Sequence, residues 1–275
     1  VSGAHDALLA ELRAQLAGVG LVARDAPRDA EDPSFLAGRC EADPRALARV
    51  LDHTLLKPDA TGPQIAQLCD EANRHAFASV CVNPLWVADC ALKVEPPVRV
   101  CTVVGFPLGA NDSAVKAEEA ALAVAAGAAE IDMVVPIGLL RQGVPPGAAP
   151  DPRVLAAVLE DIRGVVLAVR EAEGPAGLDD RCVKVILETC LLDARQKVVG
   201  ALLALAAGAH FVKTSTGFSS AGATVEDVAL LRACVGAAVG VKASGGIRDR
   251  ATVLALLRAG ASRIGCSASV AILGG

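Results

Sequence analysis

A closed (β/α)8 barrel is the fold class predicted for this 275-residue chain, and three observations carry the prediction. Eight runs rich in β-branched residues alternate with amphipathic segments. Three of those segments end on a small-residue step into the next run: Ala125-Ala126-Gly127 before EIDMVVP, Ala206-Ala207-Gly208 before HFVKTST, and Arg258-Ala259-Gly260 before SRIGCSA. Glycine there supplies the left-handed residue that ends a helix, and connections this short suit parallel βα units. The third observation separates the barrel from an open doubly wound sheet, which usually carries a dinucleotide fingerprint; the chain has no GxGxxG. Eight βα units in about 230 residues match a closed barrel.

In chain order the predicted strands are RVLDHTLL, ASVCVN, VRVCTVVGF, EIDMVVP, RCVKVILETC, HFVKTST, VGVKASG and SRIGCSA. Their cores read as continuous apolar runs, as expected for strands covered on both faces. Helical spacing places helices over Gln64–His75, Ser113–Ala126, Val154–Ala172, Arg195–Ala207, Val225–Cys234 and Ala251–Ala259, with the poorest helical pattern over Pro84–Lys93. Two regions fall outside the repeat. Residues 1–47 read as an N-terminal extension, with one helix (His5–Leu16) and a polar loop, RDAPRDAEDP, ahead of a barrel over residues 48–275. Residues 141–152, RQGVPPGAAPDP, read as a Pro/Gly-rich insertion after the fourth strand.

Composition limits what such a barrel can bind. The chain is 53% apolar but only 2% aromatic, with no Tyr, so Ala, Val and Leu do the packing and an interface of aromatic anchors is disfavoured. A net charge of −5 without a Lys/Arg block argues against a nucleic-acid face. The longest nearly uncharged run, Val198 to Val212, is too short to span a membrane. Asp6, Glu11 and Arg13 interrupt any N-terminal signal-peptide pattern. Nine cysteines, none in a CxxC pair and most in apolar runs, read as buried free thiols in a reducing cytoplasm. Four scattered histidines make a poor metal-ligand set, so no metal is expected.

Barrel chemistry sits at the C-terminal ends of the strands. Three strands carry a lysine in an apolar setting: Lys184 in CVKVIL, Lys213 in FVKTST and Lys242 in VGVKAS. Burying an ammonium is costly unless it is paired or neutralised, and Asp52, Asp132 and Glu188 are the candidate partners. Lys213 and Lys242 lie on adjacent strands, where mutual repulsion favours a neutral amine able to attack a carbonyl. Short polar loops follow strands six to eight: Thr216-Gly217, Ser244-Gly245-Gly246 and Gly265-Cys266-Ser267. Glycines let backbone N–H groups approach an anion, and barrels often bind phosphate at this position. The residues alone therefore suggest a phosphorylated carbonyl compound attacked by a lysine. His53, between Asp52 and Thr54, reads either as orienting them or as a hydrogen-bonded structural histidine, and His210, at the start of strand six, as structural.

Eight segments in order resemble the deoxyribose-phosphate aldolase family: LDHTLLKPDAT (51–61), SVCVNP (79–84), CTVVGFPLGAN (101–111), EIDMVVPIG (130–138), KVILETCLL (184–192), FVKTSTGF (211–218), VKASGGIRD (241–249) and RIGCSASVAIL (263–273). The resemblance spans residues 48–273 and implies a cofactor-free Schiff-base aldolase on a (β/α)8 barrel. Such enzymes reversibly cleave 2-deoxy-D-ribose 5-phosphate to D-glyceraldehyde 3-phosphate and acetaldehyde, in deoxyribose catabolism. The resemblance implies that Lys213 forms the imine, that Lys242 keeps it nucleophilic, and that Asp132 moves protons. It places Asp52 and Thr54 on the substrate side, Cys81 near the pocket, and Lys184 in the charge network. Thr216, Gly217, Ser244, Gly245, Gly246, Gly265 and Ser267 fall at phosphate-binding positions. The partners implied are small phosphosugars and aldehydes, with a homodimer or homotetramer as the assembly.

Three departures follow from the same resemblance. Ala268 stands where some relatives carry a second serine, and Phe218 where some carry a lysine. Some relatives also end in a tyrosine that reaches the site; with no Tyr here, proton transfer is expected to fall to Asp132, Lys242 and water. An aldolase acting on another sugar phosphate and a catalytically silent sugar-phosphate binder are the competing readings.

Overall fold

The structure is a computed structural model and describes residues 7, 10–14, 33–177 and 181–274. Eight parallel strands close a barrel in sequence order: β1 (Leu51–Leu55), β2 (Ser79–Val82), β3 (Arg99–Val104), β4 (Glu130–Val134), β5 (Cys182–Ile186), β6 (Phe211–Lys213), β7 (Gly240–Ser244) and β8 (Arg263–Cys266). β8 returns to β1 through the pairs Leu51↔Ile264, Asp52↔Gly265 and His53↔Cys266. Every strand lies within a run predicted from the sequence.

The helices, numbered along the chain, are α1 (Pro33–Ala42), α2 (Pro44–Ala48), α3 (Gly62–His75), α4 (Val87–Ala91), α5 (Ser113–Ala125), α6 (Ile137–Gly143), α7 (Pro152–Glu171), α8 (Ala194–Ala207), α9 (Val225–Val235), α10 (Arg250–Arg258) and α11 (Ser269–Gly274). Their starts are set by side chains that satisfy the free N–H groups of the first turn. The Asp151, Asp193, Thr224 and Asp249 side chains accept from the first turns of α7, α8, α9 and α10. Gly127, Gly208 and Gly260 end the three predicted αβ steps with φ of 115°, 89° and 115°, a region that favours glycine. The poorly patterned 84–93 segment is a 3-10 turn, Pro84–Trp86, followed by the short α4.

Two sequence expectations need correction. The 141–152 insertion is shorter than expected, because Arg141–Gly143 continue α6 and Pro152 opens α7. Burial of Leu140 and Val144 explains the extra turn. The extension also holds more helix than expected. Residues 7 and 10–14, within the expected His5–Leu16 helix, are helical, but α1 and α2 were not foreseen. Leu36, Ala37, Cys40, Leu47 and Ala48 bury their apolar faces in the same core as the barrel. The polar stretch 24–33 lies outside the described residues up to Pro33, which begins α1.

Burial along the strands is nearly continuous, as predicted, but the chemistry alternates with period two. Val80, Val100, Ile131, Met133, Val183, Val185, Val212, Val241 and Ile264 join the aliphatic shell under the helices. Their neighbours in the chain, among them Asp132, Lys184, Lys213, Lys242 and Arg263, face the barrel axis and one another. Full burial of each aliphatic side chain contributes about 1.5–3 kcal/mol, so the outer shell is the main source of cohesion.

Candidate active site

At the C-terminal ends of the strands a cleft of about 420 Å³ opens towards solvent. Lys213 is at its floor, Thr54 on the β1 side, and Thr216 and Gly217 follow β6. Ser244, Gly245 and Gly246 line it after β7, and Gly265 and Ser267 at β8. Nine of the residues singled out from the sequence therefore meet around one concavity.

Five others lie beneath it. Asp132 is the hub: its Oδ2 accepts from Lys213 Nζ and Lys242 Nζ, each at 2.7 Å, and its Oδ1 accepts from Lys184 Nζ at 2.8 Å. Lys242 also pairs with Asp52 Oδ2 at 2.5 Å, and Lys184 with Glu130 Oε2 at 2.6 Å. Arg263 Nη1 closes the network, 2.7 Å from Asp52 Oδ1 and 3.1 Å from Glu130 Oε2. Asp52 therefore sits one layer below the cleft rather than on its wall, and Ser79 Oγ donates to it at 2.7 Å. Lys184 likewise reaches the site only through Asp132. Cys81 is buried beside Leu56, Cys101 and Val103. The Thr54 hydroxyl donates to the Asp52 carbonyl.

The electrostatics follow from this packing. Burial pushes the Asp132 carboxyl up, but the ammonium groups of Lys184, Lys213 and Lys242 outweigh it and hold the group well below the usual carboxylate range. Burial also opposes charge on Lys242, yet Asp132 and Asp52 raise it above the ordinary lysine value, so Lys242 is an ammonium at neutral pH. Lys184 is raised in the same way, chiefly by Asp132 against its own burial. Three carboxylates (Asp52, Glu130, Asp132) thus face four cations (Lys184, Lys213, Lys242, Arg263).

The loops that follow β6 and β7 carry left-handed glycines. Gly217, Gly245 and Gly246 have φ of 86°, 85° and 77°. A Cβ on Gly222 would lie 2.1 Å from the Gly245 carbonyl oxygen, so the loops after β6 and β7 touch backbone to backbone. The Ser244 hydroxyl donates to the Ser215 carbonyl at 2.6 Å and its N–H to Thr214 Oγ1 at 3.2 Å, so both of its donors are committed.

Sequence reasoning missed several residues that build the site. Arg248 and Lys57 line the cleft as its charged side chains besides Lys213; Phe218, already noted in the sequence as standing where some relatives carry a lysine, packs edge-on against Phe106 at 5.2 Å. Arg248 follows directly on the Gly245-Gly246 loop, which was its available signal. Glu130 and Arg263 complete the buried network; Glu130 is two residues before Asp132, the strand period. Glu188 was a candidate lysine partner, but its carboxylate bonds Thr216 instead. His53 pairs with Glu71 on α3 at 2.8 Å, and His210 Nδ1 accepts from Val183 N at 3.1 Å; both roles are structural.

Among the described residues one cluster has metal-ligand spacing, Cys81, Cys101 and Asp132. It does not suit a cation. Lys184 Nζ already lies 3.3 Å from Cys101 Sγ, and three ammonium groups hold Asp132.

No protein-family model matches the chain. Curated relatives do. A deoxyribose-phosphate aldolase of Shouchella clausii is 53% identical over 231 residues, 83% of this chain and 95% of the relative. One of Brevibacillus brevis is 51% identical over 230 residues, 83% and 96% respectively. Among solved structures, a tetrameric deoxyribose phosphate aldolase from Aeropyrum pernix superposes with a TM-score of 0.73 at 31% identity, covering 88% of this chain and 96% of that one.

Proposed function

The chain belongs to the deoxyribose-phosphate aldolase family, and on that premise we propose that Lys213 is its imine-forming nucleophile, with Lys242 and Asp132 as the proton-handling pair. The protein is a carbon–carbon lyase that cleaves 2-deoxy-D-ribose 5-phosphate to D-glyceraldehyde 3-phosphate and acetaldehyde. The observation that carries the residue roles is the single carboxylate oxygen of Asp132, 2.7 Å from both Lys213 Nζ and Lys242 Nζ.

That geometry supports the following steps. Neutral Lys213 Nζ adds to C1 of the open-chain sugar, and the carbonyl oxygen takes up a proton to give a carbinolamine. Asp132 accepts the proton leaving Lys213, and Lys242, held charged by Asp132 and Asp52, supplies one to the departing hydroxyl. Water leaves and an iminium forms. That iminium draws the electron pair of the C2–C3 bond, so the bond breaks to a neutral enamine rather than an enolate. The C3 hydroxyl loses its proton to the same relay and becomes the aldehyde of glyceraldehyde 3-phosphate. Protonation at C2 and hydrolysis by water then release acetaldehyde and free Lys213. The phosphate is placed against Gly217, Gly245, Gly246, Gly265 and Ser267, with the Arg248 and Lys57 charges taking the part of the lysine that Phe218 replaces.

A retro-aldol assay with 2-deoxyribose 5-phosphate beside ribose 5-phosphate and fructose 1,6-bisphosphate tests the substrate. Turnover of the first should exceed that of the others by orders of magnitude. Comparable rates on either of the others would favour an aldolase of different scope.

Two coarser features belong to the same proposal. No helix among the described residues is long and apolar enough to cross a membrane, and all nine cysteines are free thiols, which fits a reducing cytoplasm. A homo-oligomer, dimer or tetramer, is proposed by analogy with the Aeropyrum pernix relative, and light scattering on the purified protein reads it directly. Residues 1–47 are assigned to an extension and 48–275 to the barrel.

A further inference from the structure

We propose that Glu188 is a positioning residue for substrate phosphate, acting through Thr216 to hold the Gly217 backbone of the loop after β6 in place at the cleft. This deepens the phosphate site proposed above and rests on it. Glu188 follows β5, is 2% exposed, and pairs with none of Lys184, Lys213 and Lys242. A carboxylate so placed must find donors, because an unsatisfied buried charge is costly. It finds them on the neighbouring loop. The Thr216 hydroxyl donates to Glu188 Oε2, and the Thr216 backbone N–H lies 3.3 Å from the same oxygen. Thr216 Oγ1 in turn accepts from the Phe218 N–H at 3.0 Å. One carboxylate therefore fixes three consecutive residues, Thr216 to Phe218, on the wall of the cleft.

The backbone supports the same reading. Glu188 sits at φ 58°, ψ 64°, a region that disfavours any residue with a Cβ. Glycine would fit there without strain, so the chain holds a glutamate where local conformation favours its absence. The strands on either side are already laced together without it: Leu187 N donates to the Lys213 carbonyl at 3.0 Å and Thr189 N to the Thr214 carbonyl at 2.9 Å. What Glu188 adds beyond these is the order of Thr216–Phe218, the part of the loop that meets the cleft. Because Lys213 is tied by the backbone and by Asp132, its chemistry does not depend on this carboxylate.

The test compares kcat and KM for 2-deoxyribose 5-phosphate with those for unphosphorylated 2-deoxyribose in the full-length protein and in Glu188→Gln and Glu188→Gly. A charge-assisted hydrogen bond lost at the loop should raise KM for the phosphorylated sugar about tenfold. The preference for phosphorylated over unphosphorylated sugar should fall by the same factor, with kcat on the phosphorylated sugar changed by less than about threefold. Glu188→Gly relieves the backbone, so a melting temperature equal to or above wild type, with the preference still lost, separates positioning from folding. Thr216→Val combined with Glu188→Gln should add little to either alone. Equal losses on both sugars, or an unchanged preference ratio, would overturn the proposal. Borohydride trapping of acetaldehyde on Lys213 in each variant keeps the two readings apart. Failure to trap in wild type sinks the imine chemistry, whereas trapping with an unaltered phosphate preference sinks only the role of Glu188.

Discussion

Ile131 and Asp132 are neighbours on β4, and both are fully buried, yet one joins an aliphatic shell and the other an ionic network. The same contrast runs around the barrel. Outward residues pack against helices and gain stability from every methylene removed from water. Inward residues hold Lys184, Lys213, Lys242 and Arg263 against Asp52, Glu130 and Asp132. Buried ion pairs seldom stabilise a fold more than apolar groups of the same shape would, because desolvation offsets most of the attraction. Cohesion thus belongs to the shell, whereas the interior gives up packing energy to keep charges where a carbonyl can meet them.

Four experiments set the two regions against each other, beginning with the largest effect. Lys213→Ala should lower turnover by roughly a thousandfold or more while shifting the melting temperature little, since Asp132 keeps two ammonium partners. A variant retaining a tenth of wild-type kcat would remove Lys213 from the mechanism. Lys242→Leu leaves Asp52 and Asp132 each one cation short and should cost both functions: about a hundredfold in kcat at pH 7 and about 3 kcal/mol in urea unfolding. An unchanged rate would refute its role in activating Lys213.

The pH dependence of stability is the third and smaller effect. Asp52 and Asp132 are held below the ordinary 3.8, so their stabilisation is present above that value and lost as the pH falls below it. Lys184 and Lys242 are raised above 10.5, so theirs is complete below that value and lost only as the pH climbs past it. Urea midpoints should be nearly level from about pH 5 to 9 and drop at pH 3; a maximum near pH 3 would contradict the assigned charges. The smallest effect is on the outer face, where Ile131→Val should cost about 1 kcal/mol and leave kcat/KM within twofold. A large loss of activity there would show that shell and interior are not separable.

Much of this was legible in the chain. Strand runs, glycine-ended helices and lysines in apolar settings pointed to the barrel and to Lys213 and Lys242, because local pattern dictates each of them, whereas Asp132 was one of three candidate partners until the family resemblance singled it out. The pairing of those charges was not legible. Arg263 reaches Asp52 because closure sets β8 beside β1, and it meets Glu130 on β4 only across the barrel axis. No sequence spacing encodes that contact. Glu188 shows the same limit from the other side: a carboxylate near three lysines was expected to pair with one, but its left-handed backbone aims it at Thr216. The helices α1 and α2 were hidden because their short apolar faces acquire meaning only against the completed core.

The proposed chemistry depends most directly on Lys213 carrying the imine. Incubating the full-length protein with acetaldehyde, reducing with borohydride and mapping peptides by mass spectrometry should place a stable ethyl adduct on the Lys213 peptide and none on those of Lys184 or Lys242. An adduct on Lys242 with Lys213 unmodified, or no adduct in an enzyme that still turns over, would contradict it.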